Sequence, residues 1–128
     1  MIIIGGEQDI NTVDETLQIM GCDCCIQPDS VSFTRFERSK LDFYKQASKE
    51  GYALAVYVSD IKELIFVCNI GVKYAVATQD DAPIMQRVME NYLFDTKLLA
   101  IIDEEDEIEW AAANEIDGVI FYNEMFED

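Results

Sequence analysis

Oxygen-bearing side chains recur along the chain, and each group directly follows a short apolar run. The groups are Gly5-Gly6-Glu7, Asp29, Ser59-Asp60, Gln79-Asp80-Asp81, Asp103-Glu104 and Asn123. Carboxylate oxygens that converge from several loops suit Mg²⁺, which proteins hold with one or two carboxylates and water. Such a site would serve a small Mg²⁺-dependent enzyme or a phosphoryl-transfer domain. The candidate ligands are Asp29, Asp60, Asp80, Asp81 and Asp103.

A structural interpretation of the same acids is preferred here. Each acid also lies where a predicted helix begins, and a carboxylate there accepts hydrogen bonds from unpaired backbone N–H groups and offsets the positive end of the helix. The pair Gly5-Gly6 could cradle a phosphate, but the spacing of a dinucleotide-binding or P-loop motif is missing. These acids therefore do not by themselves define a catalytic site.

The chain contains no histidine, which removes Ser-His and Cys-His nucleophilic pairs and His-ligated zinc. Three of its four cysteines lie in Gly21-Cys22-Asp23-Cys24-Cys25. In a strand, Cys24 and Cys25 point to opposite faces, so these thiols cannot converge on one ion. We expect all four cysteines to be reduced and metal-free, with Cys68 an ordinary helix thiol.

Length and charge restrict the class of protein. The 128 residues suit one domain spanning 1–128, and half of them are apolar, which excludes intrinsic disorder. The formal net charge of −17 repels phosphate backbones and anionic lipid, so we expect neither nucleic acid nor a membrane as a partner. The sequence has no apolar run long enough for a membrane helix and no signal-peptide pattern at Met1, which predicts a cytoplasmic location.

The pattern of apolar runs and turn residues predicts alternating strands and helices. Four helix-like segments end in glycine, at Gly21, Gly51, Gly71 and Gly118, and an apolar run follows each glycine at once. The predicted strands are 2–4, 22–26, 52–58, 72–77, 98–102 and 118–122. The predicted helices are 12–20, 33–50, 60–69, 81–93 and 104–116. Capping residues support their starts, among them Thr34 with Glu37, Asp60, and Asp103.

This alternation predicts an α/β fold with an open, mostly parallel sheet of about six strands. Helices on both faces would complete a three-layer sandwich. In such sheets ligands bind beyond the carboxyl ends of the strands, where the strand order reverses. Residues 55–71 and 99–118 also look alike, as in an internal repeat of about 44 residues, although any two strand–helix units share this much.

From about Cys22 to Phe126 the order of segments resembles a response-regulator receiver domain, which has a flavodoxin-like fold. The segment 50–77, with Tyr52-Ala-Leu-Ala-Val-Tyr-Val-Ser-Asp60 and Lys73-Tyr-Ala-Val-Ala77, is similar to a receiver's middle units. Ala111-Ala-Ala-Asn-Glu-Ile-Asp-Gly-Val-Ile-Phe-Tyr122 resembles the helix and strand that close the fold.

The resemblance implies a role for particular residues. Asp29 corresponds to the acidic pair after the family's first strand, Gln79 or Asp80 to the phospho-acceptor aspartate, Asp103 to a threonine or serine, and Asn123 to a lysine. Several of these positions depart from the family's pattern. The resemblance therefore implies a degenerate receiver that does not accept a phosphoryl group.

Five of the nine basic residues lie in the predicted second helix, whereas residues 50–128 carry eighteen acids and four basic residues. At 100° per residue, Arg35, Arg38, Lys45 and Lys49 share one helical face. This face is either a solvated surface or a docking strip for an acidic partner or a second copy. The preferred function is a non-catalytic, receiver-like binding or regulatory module that acts through protein contacts.

Overall fold

The computed structural model describes residues 1–5, 16–19 and 30–121, and within them it contains seven strands and four helices. The strands are β1 (Ile2–Ile4), β2 (Thr16–Ile19), β3 (Ser30–Arg35), β4 (Ala53–Tyr57), β5 (Tyr74–Ala77), β6 (Lys97–Ile102) and β7 (Gly118–Phe121). The helices are α1 (Leu41–Lys49), α2 (Ile61–Ile70), α3 (Ala82–Tyr92) and α4 (Glu107–Ala113). A short 3-10 helix, Arg38–Lys40, precedes α1.

The seven strands form one curled open sheet in the order β1-β7-β6-β5-β4-β3-β2, and every neighbouring pair is parallel. The predicted parallel α/β sheet is confirmed. From β3 to β7 each connection moves to the adjacent strand in one direction. Because such crossovers are right-handed, they carry their helices to the same face of the sheet.

Alternate residues of the strands pack into two separate cores. On one face Leu54, Val56 and their neighbours pack against buried residues from all four helices, such as Tyr44 and Leu64. On the other face Ala55 joins a second cluster, to which, among the described residues, only strands contribute: Ile4, Val31, Phe33, Ala53, Ala55, Tyr74, Val76, Leu99 and Ile120. Period-two alternation thus buries both faces of β4, one against the helices and the other against side chains of other strands.

The sandwich expected from the sequence has helices on both faces, and the described ranges do not confirm this. All four of their helices share the first face. The strand order also runs from β2 to β7 without reversing, so the switch point at which we expected a ligand does not occur between these strands. The carboxyl ends of the strands instead form one continuous rim.

Most predicted elements of the second half are confirmed, and two predictions in the first half are wrong. Residues 16–19 form β2 rather than part of a helix 12–20. Residues 30–35 form β3, so the helix predicted over 33–50 is limited to 41–49. In β3 the apolar Val31 and Phe33 alternate with the polar Ser32 and Thr34, a strand period that overrides the capping-box spacing. The predicted strand 22–26 lies outside the described residues.

Two of the predicted glycines, Gly51 and Gly71, end helices, whereas Gly118 does not. Gly51 and Gly71 have φ of 86° and 91°, the left-handed conformation that stops a helix. Gly118 does not do so, because α4 is followed by Glu115 at φ 58° and Gly118 lies within β7. A Cβ on Gly118 would lie 2.5 Å from the backbone oxygen of Ile2. Glycine is required there because β1 approaches so closely.

Cys68 is a buried thiol without a disulfide in α2. Burial raises its pKa to about 11, while a hydrogen bond with Thr96 acts in the opposite direction. The thiol therefore stays protonated near neutral pH. Cys22, Cys24 and Cys25 lie outside the described residues. No helix in the described part of the chain is long and apolar enough to span a membrane.

Candidate functional site

The carboxyl rim of the sheet carries the predicted acidic residues, and the loop after β4 shows what one of them does. Asp60 is the N-cap of α2, and its Oδ1 accepts a hydrogen bond of 2.8 Å from the backbone N–H of Glu63. Glu63 in turn accepts from the backbone N–H and the hydroxyl of Ser59, at 2.9 and 3.0 Å. The structural interpretation is confirmed for Asp60, whose carboxylate stabilises the start of a helix.

Glu107 closes the loop after β6 in a similar way. Its carboxylate accepts hydrogen bonds from the backbone N–H groups of Asp103 and Glu104, and from Nε2 of Gln79 at 3.1 Å. The Gln79 amide and these backbone donors lower the pKa of Glu107, because they favour its charged form. Gln79 Nε2 also donates to the backbone oxygen of Ile101 at 3.1 Å. The network ties the loop after β5 to the loop after β6.

The two loops repeat one device. In each, a glutamate a few residues beyond the end of the strand folds back onto the backbone, Glu63 onto Ser59 and Glu107 onto Asp103. The second pair lies about 44 residues after the first, which is also the spacing between the two similar segments of the sequence. Neither glutamate was among the predicted site residues, although the shared spacing was a visible signal. Asp103 was expected to open α4, but this helix starts at Glu107.

The other described candidate acids of the rim do not cap a helix as Asp60 does. Asp81 precedes α3, where its Oδ2 accepts from the hydroxyl of Thr78 at 3.3 Å. Asp80 and Asp103 have exposed side chains, and Asp29 lies outside the described residues. Within residues 1–5, 16–19 and 30–121 no three acidic or cysteine side chains are close enough together to hold a metal ion. The structure does not bring Asp60, Asp80, Asp81 and Asp103 together as a ligand set.

The basic candidates do not share one helical face, which corrects the predicted strip. Arg35 is the last residue of β3, paired in register with Tyr57 of β4, and so belongs to the rim of the sheet. Arg38 lies in the 3-10 helix, and Lys45 and Lys49 lie on α1 with exposed side chains. The prediction was wrong because it placed residues 33–50 in one helix, whereas residues 33–35 belong to β3 and α1 covers only 41–49.

Buried aromatic residues fix the segment that carries Arg38. The hydroxyl of Tyr44, which is fully buried, donates to the backbone oxygen of Arg35 and accepts from the backbone N–H of Glu37, both at 3.0 Å. The ring of Phe36 packs 6.2 Å from the rings of both Tyr44 and Phe66. The chain between β3 and α1 is therefore held against both α1 and α2.

A groove opens between α1 and α2 at this point. Its volume is about 370 Å³, and it is lined by Leu41, Lys45, Phe66, Asn69 and Ile70. The guanidinium of Arg38 lies 5.6 Å above the centre of the Phe66 ring, in the range of a cation–π contact. The groove thus combines half-buried apolar side chains with two exposed cations. Sequence patterns within single segments missed it, because its walls come from two different helices.

No protein-family model matches the chain, and a search of curated proteins finds no significant match. The function must therefore be inferred from the geometry and charge of the chain itself.

Proposed function

We propose that this protein is a non-catalytic binding module that docks an acidic protein segment with apolar side chains into the groove between α1 and α2. The observation that carries the proposal is the groove itself, where Leu41, Phe66 and Ile70 lie beside Lys45. Arg38 lies over the Phe66 ring at its side. Apolar contact supplies most of the affinity of such a groove, while the cations select the sign of the partner's charge.

The charge of the whole chain makes this groove selective. At a net charge of −17, most of the surface disfavours an acidic partner at long range. Arg38 and Lys45 form a local exception beside an apolar surface. Because both side chains are exposed, each ion pair with a partner contributes about 0–1 kcal/mol and weakens as salt rises. Affinity should then depend on apolar side chains and on salt together.

The carboxylates of the rim support a binding role. The oxygens of Asp60, Glu63 and Glu107 accept hydrogen bonds from loop and helix-start backbone groups, which is a structural use of acids. A receiver-like regulatory role through protein contacts fits this arrangement. At the position of the family's phospho-acceptor, the amide of Gln79 donates hydrogen bonds to Glu107 and Ile101, and the neighbouring Asp80 side chain is exposed.

Fluorescence anisotropy with a labelled synthetic peptide tests the proposal. The probe is a short helical peptide in which glutamates flank leucine and tyrosine at helical spacing, and its control replaces those apolar residues with serine. We expect saturable binding of the first peptide alone. The double variant Arg38→Glu/Lys45→Glu should weaken this binding at least tenfold, because it puts two negative charges on the groove.

A matched control separates the groove from net charge. Lys73→Glu/Arg87→Glu changes the net charge by the same amount at exposed positions outside the groove. We expect this variant to bind the peptide nearly as well as the native chain. Equal weakening by both double variants, or no weakening by either, would show that the groove is not the docking site.

A further inference from the structure

The turn after α3 presents an apolar side chain to solvent in a conformation that leucine disfavours. Leu93 is the C-cap of α3 with φ 55°, and its exposed fraction is 85%. Glycine or asparagine usually occupies this left-handed position, because a Cβ with further branching is crowded there. An exposed leucine at this position therefore gains no burial on folding, and its backbone conformation is unfavourable.

The neighbours of Leu93 hold it on a defined apolar corner. Tyr92 is 68% exposed, and its ring stacks on Phe94 at 5.6 Å between centroids and 17° between planes. Exposed acids flank the corner at Glu90 and Asp95, and Lys97 lies on the small cavity behind Leu93. We call Tyr92, Leu93 and their flanking acids the apolar corner. It has the chemistry that the groove requires: apolar side chains between carboxylates.

From this match we propose that the occupant of the groove is a second copy of the chain, which inserts its apolar corner. Leu93 and Tyr92 of one copy contact Leu41, Phe66 and Ile70 of the other. Glu90 and Asp95 then lie near the exposed cations Arg38 and Lys45. The inference rests on the proposed function, because it identifies the partner of the same groove.

The net charge of the chain makes this contact weak and dependent on salt. Two chains of −17 repel each other, so the local pairing must act at short range. At about 0.15 M salt the Debye length is roughly 8 Å, which screens distant charges more than groups in contact. Self-association is therefore best measured near this ionic strength and at high protein concentration.

Sedimentation velocity over a concentration series provides the test. We expect the native chain to associate reversibly. Leu93→Asn should remain monomeric and at least as heat-stable as the native chain, because asparagine tolerates the left-handed conformation. Arg38→Glu/Lys45→Glu should also be monomeric. A mixture of the two variants should form a 1:1 complex, since one intact corner and one intact groove remain.

The outcomes distinguish this inference from the proposed function. Leu93→Asn leaves the groove intact, so it should bind the acidic peptide as the native chain does, and the peptide should dissociate native assemblies. A native chain that stays monomeric while binding the peptide would overturn the second copy as partner and leave the binding function standing. Association that survives Leu93→Asn, or a mixture that stays monomeric, would also overturn it. If binding of the peptide did not depend on Arg38 and Lys45, the proposed function itself would be refuted.

Discussion

Replacing Gly118 with alanine tests how closely β1 is docked onto β7. The added Cβ would lie 2.5 Å from the oxygen and 2.7 Å from the Cβ of Ile2, and 2.8 Å from Cδ2 of Leu99. Ordinary contacts begin near roughly 3.5 Å, so β1 would have to move by about 1 Å. The nearest obstacle is the backbone of β1, which a change of rotamer cannot relieve.

The magnitude follows from overpacking and from what β1 buries. Inserting a methyl group into a packed site commonly costs about 1–3 kcal/mol. Detachment of β1 would relieve the overpacking but expose Ile4, which is 1% exposed and whose burial contributes a similar amount, about 1.5–3 kcal/mol. We expect Gly118→Ala to lower the free energy of unfolding by about 1–3 kcal/mol, or the Tm by roughly 4–12 °C.

Urea denaturation and hydrogen exchange of the backbone amides measure the effect. Exchange should accelerate at Ile3 and Ile4 before it does in β4 or β5. Gly71→Ala is the matched control: φ is 91° there and nothing lies within 4 Å of an added Cβ. That change should cost about 1 kcal/mol through backbone strain alone and leave exchange in β1 unchanged. If Gly118→Ala matched this control in both measurements, the close packing of β1 would be refuted.

Three further predictions concern the loops. Glu107→Gln should destabilise the chain most at neutral pH. The pKa of Glu107 is lowered in the folded state, so its carboxylate contributes stability above the unfolded pKa of about 4.3. This stability is lost as the pH falls through the folded-state pKa. Urea denaturation at neutral pH and at about pH 3.5 checks this, and a pH-independent difference would contradict it. Tyr44→Phe should cost about 1–3 kcal/mol in the same assay, since it removes the hydroxyl that bonds to the backbone of Arg35 and Glu37; a loss below about 0.5 kcal/mol would argue against this role. Mg²⁺, compared with Na⁺ at equal ionic strength, should produce no saturable rise in Tm; a saturable rise would instead support the metal-dependent alternative.

The strands of the second half were predictable because each is a short apolar run bounded by a turn. Residues 53–57, 74–77 and 97–102 have this form, and their short length favours a strand over a helix. Ser30–Arg35 was missed because its polar alternation is brief and only residues 36–40 separate it from α1. Its identity as a strand depends on pairing with β2 and β4, which local sequence does not record.

The strand order was not predictable, since singly wound and doubly wound sheets have the same alternation of strand and helix along the chain. The candidate site was predictable in part. The use of Asp60 as a helix cap follows from its position before an apolar helix. The groove depends on Phe66 of one helix meeting Leu41 of another, and the exposure of Leu93 depends on backbone geometry after α3. Both are relations between elements rather than patterns within one.

The pairing of β1 with β7 has a consequence for how the chain is made. Residues 3 and 119 are partners in the sheet, whereas β3 to β7 each pair with a strand that lies close in sequence. During synthesis the sheet from β3 onwards can therefore form strand by strand. The apolar Ile2–Ile4 segment, in contrast, cannot pair until β7 has been synthesised. Closing so long a loop is entropically unfavourable, and exposed apolar strands are prone to aggregate. An apolar segment of the growing polypeptide thus stays without its sheet partner until β7 has been translated.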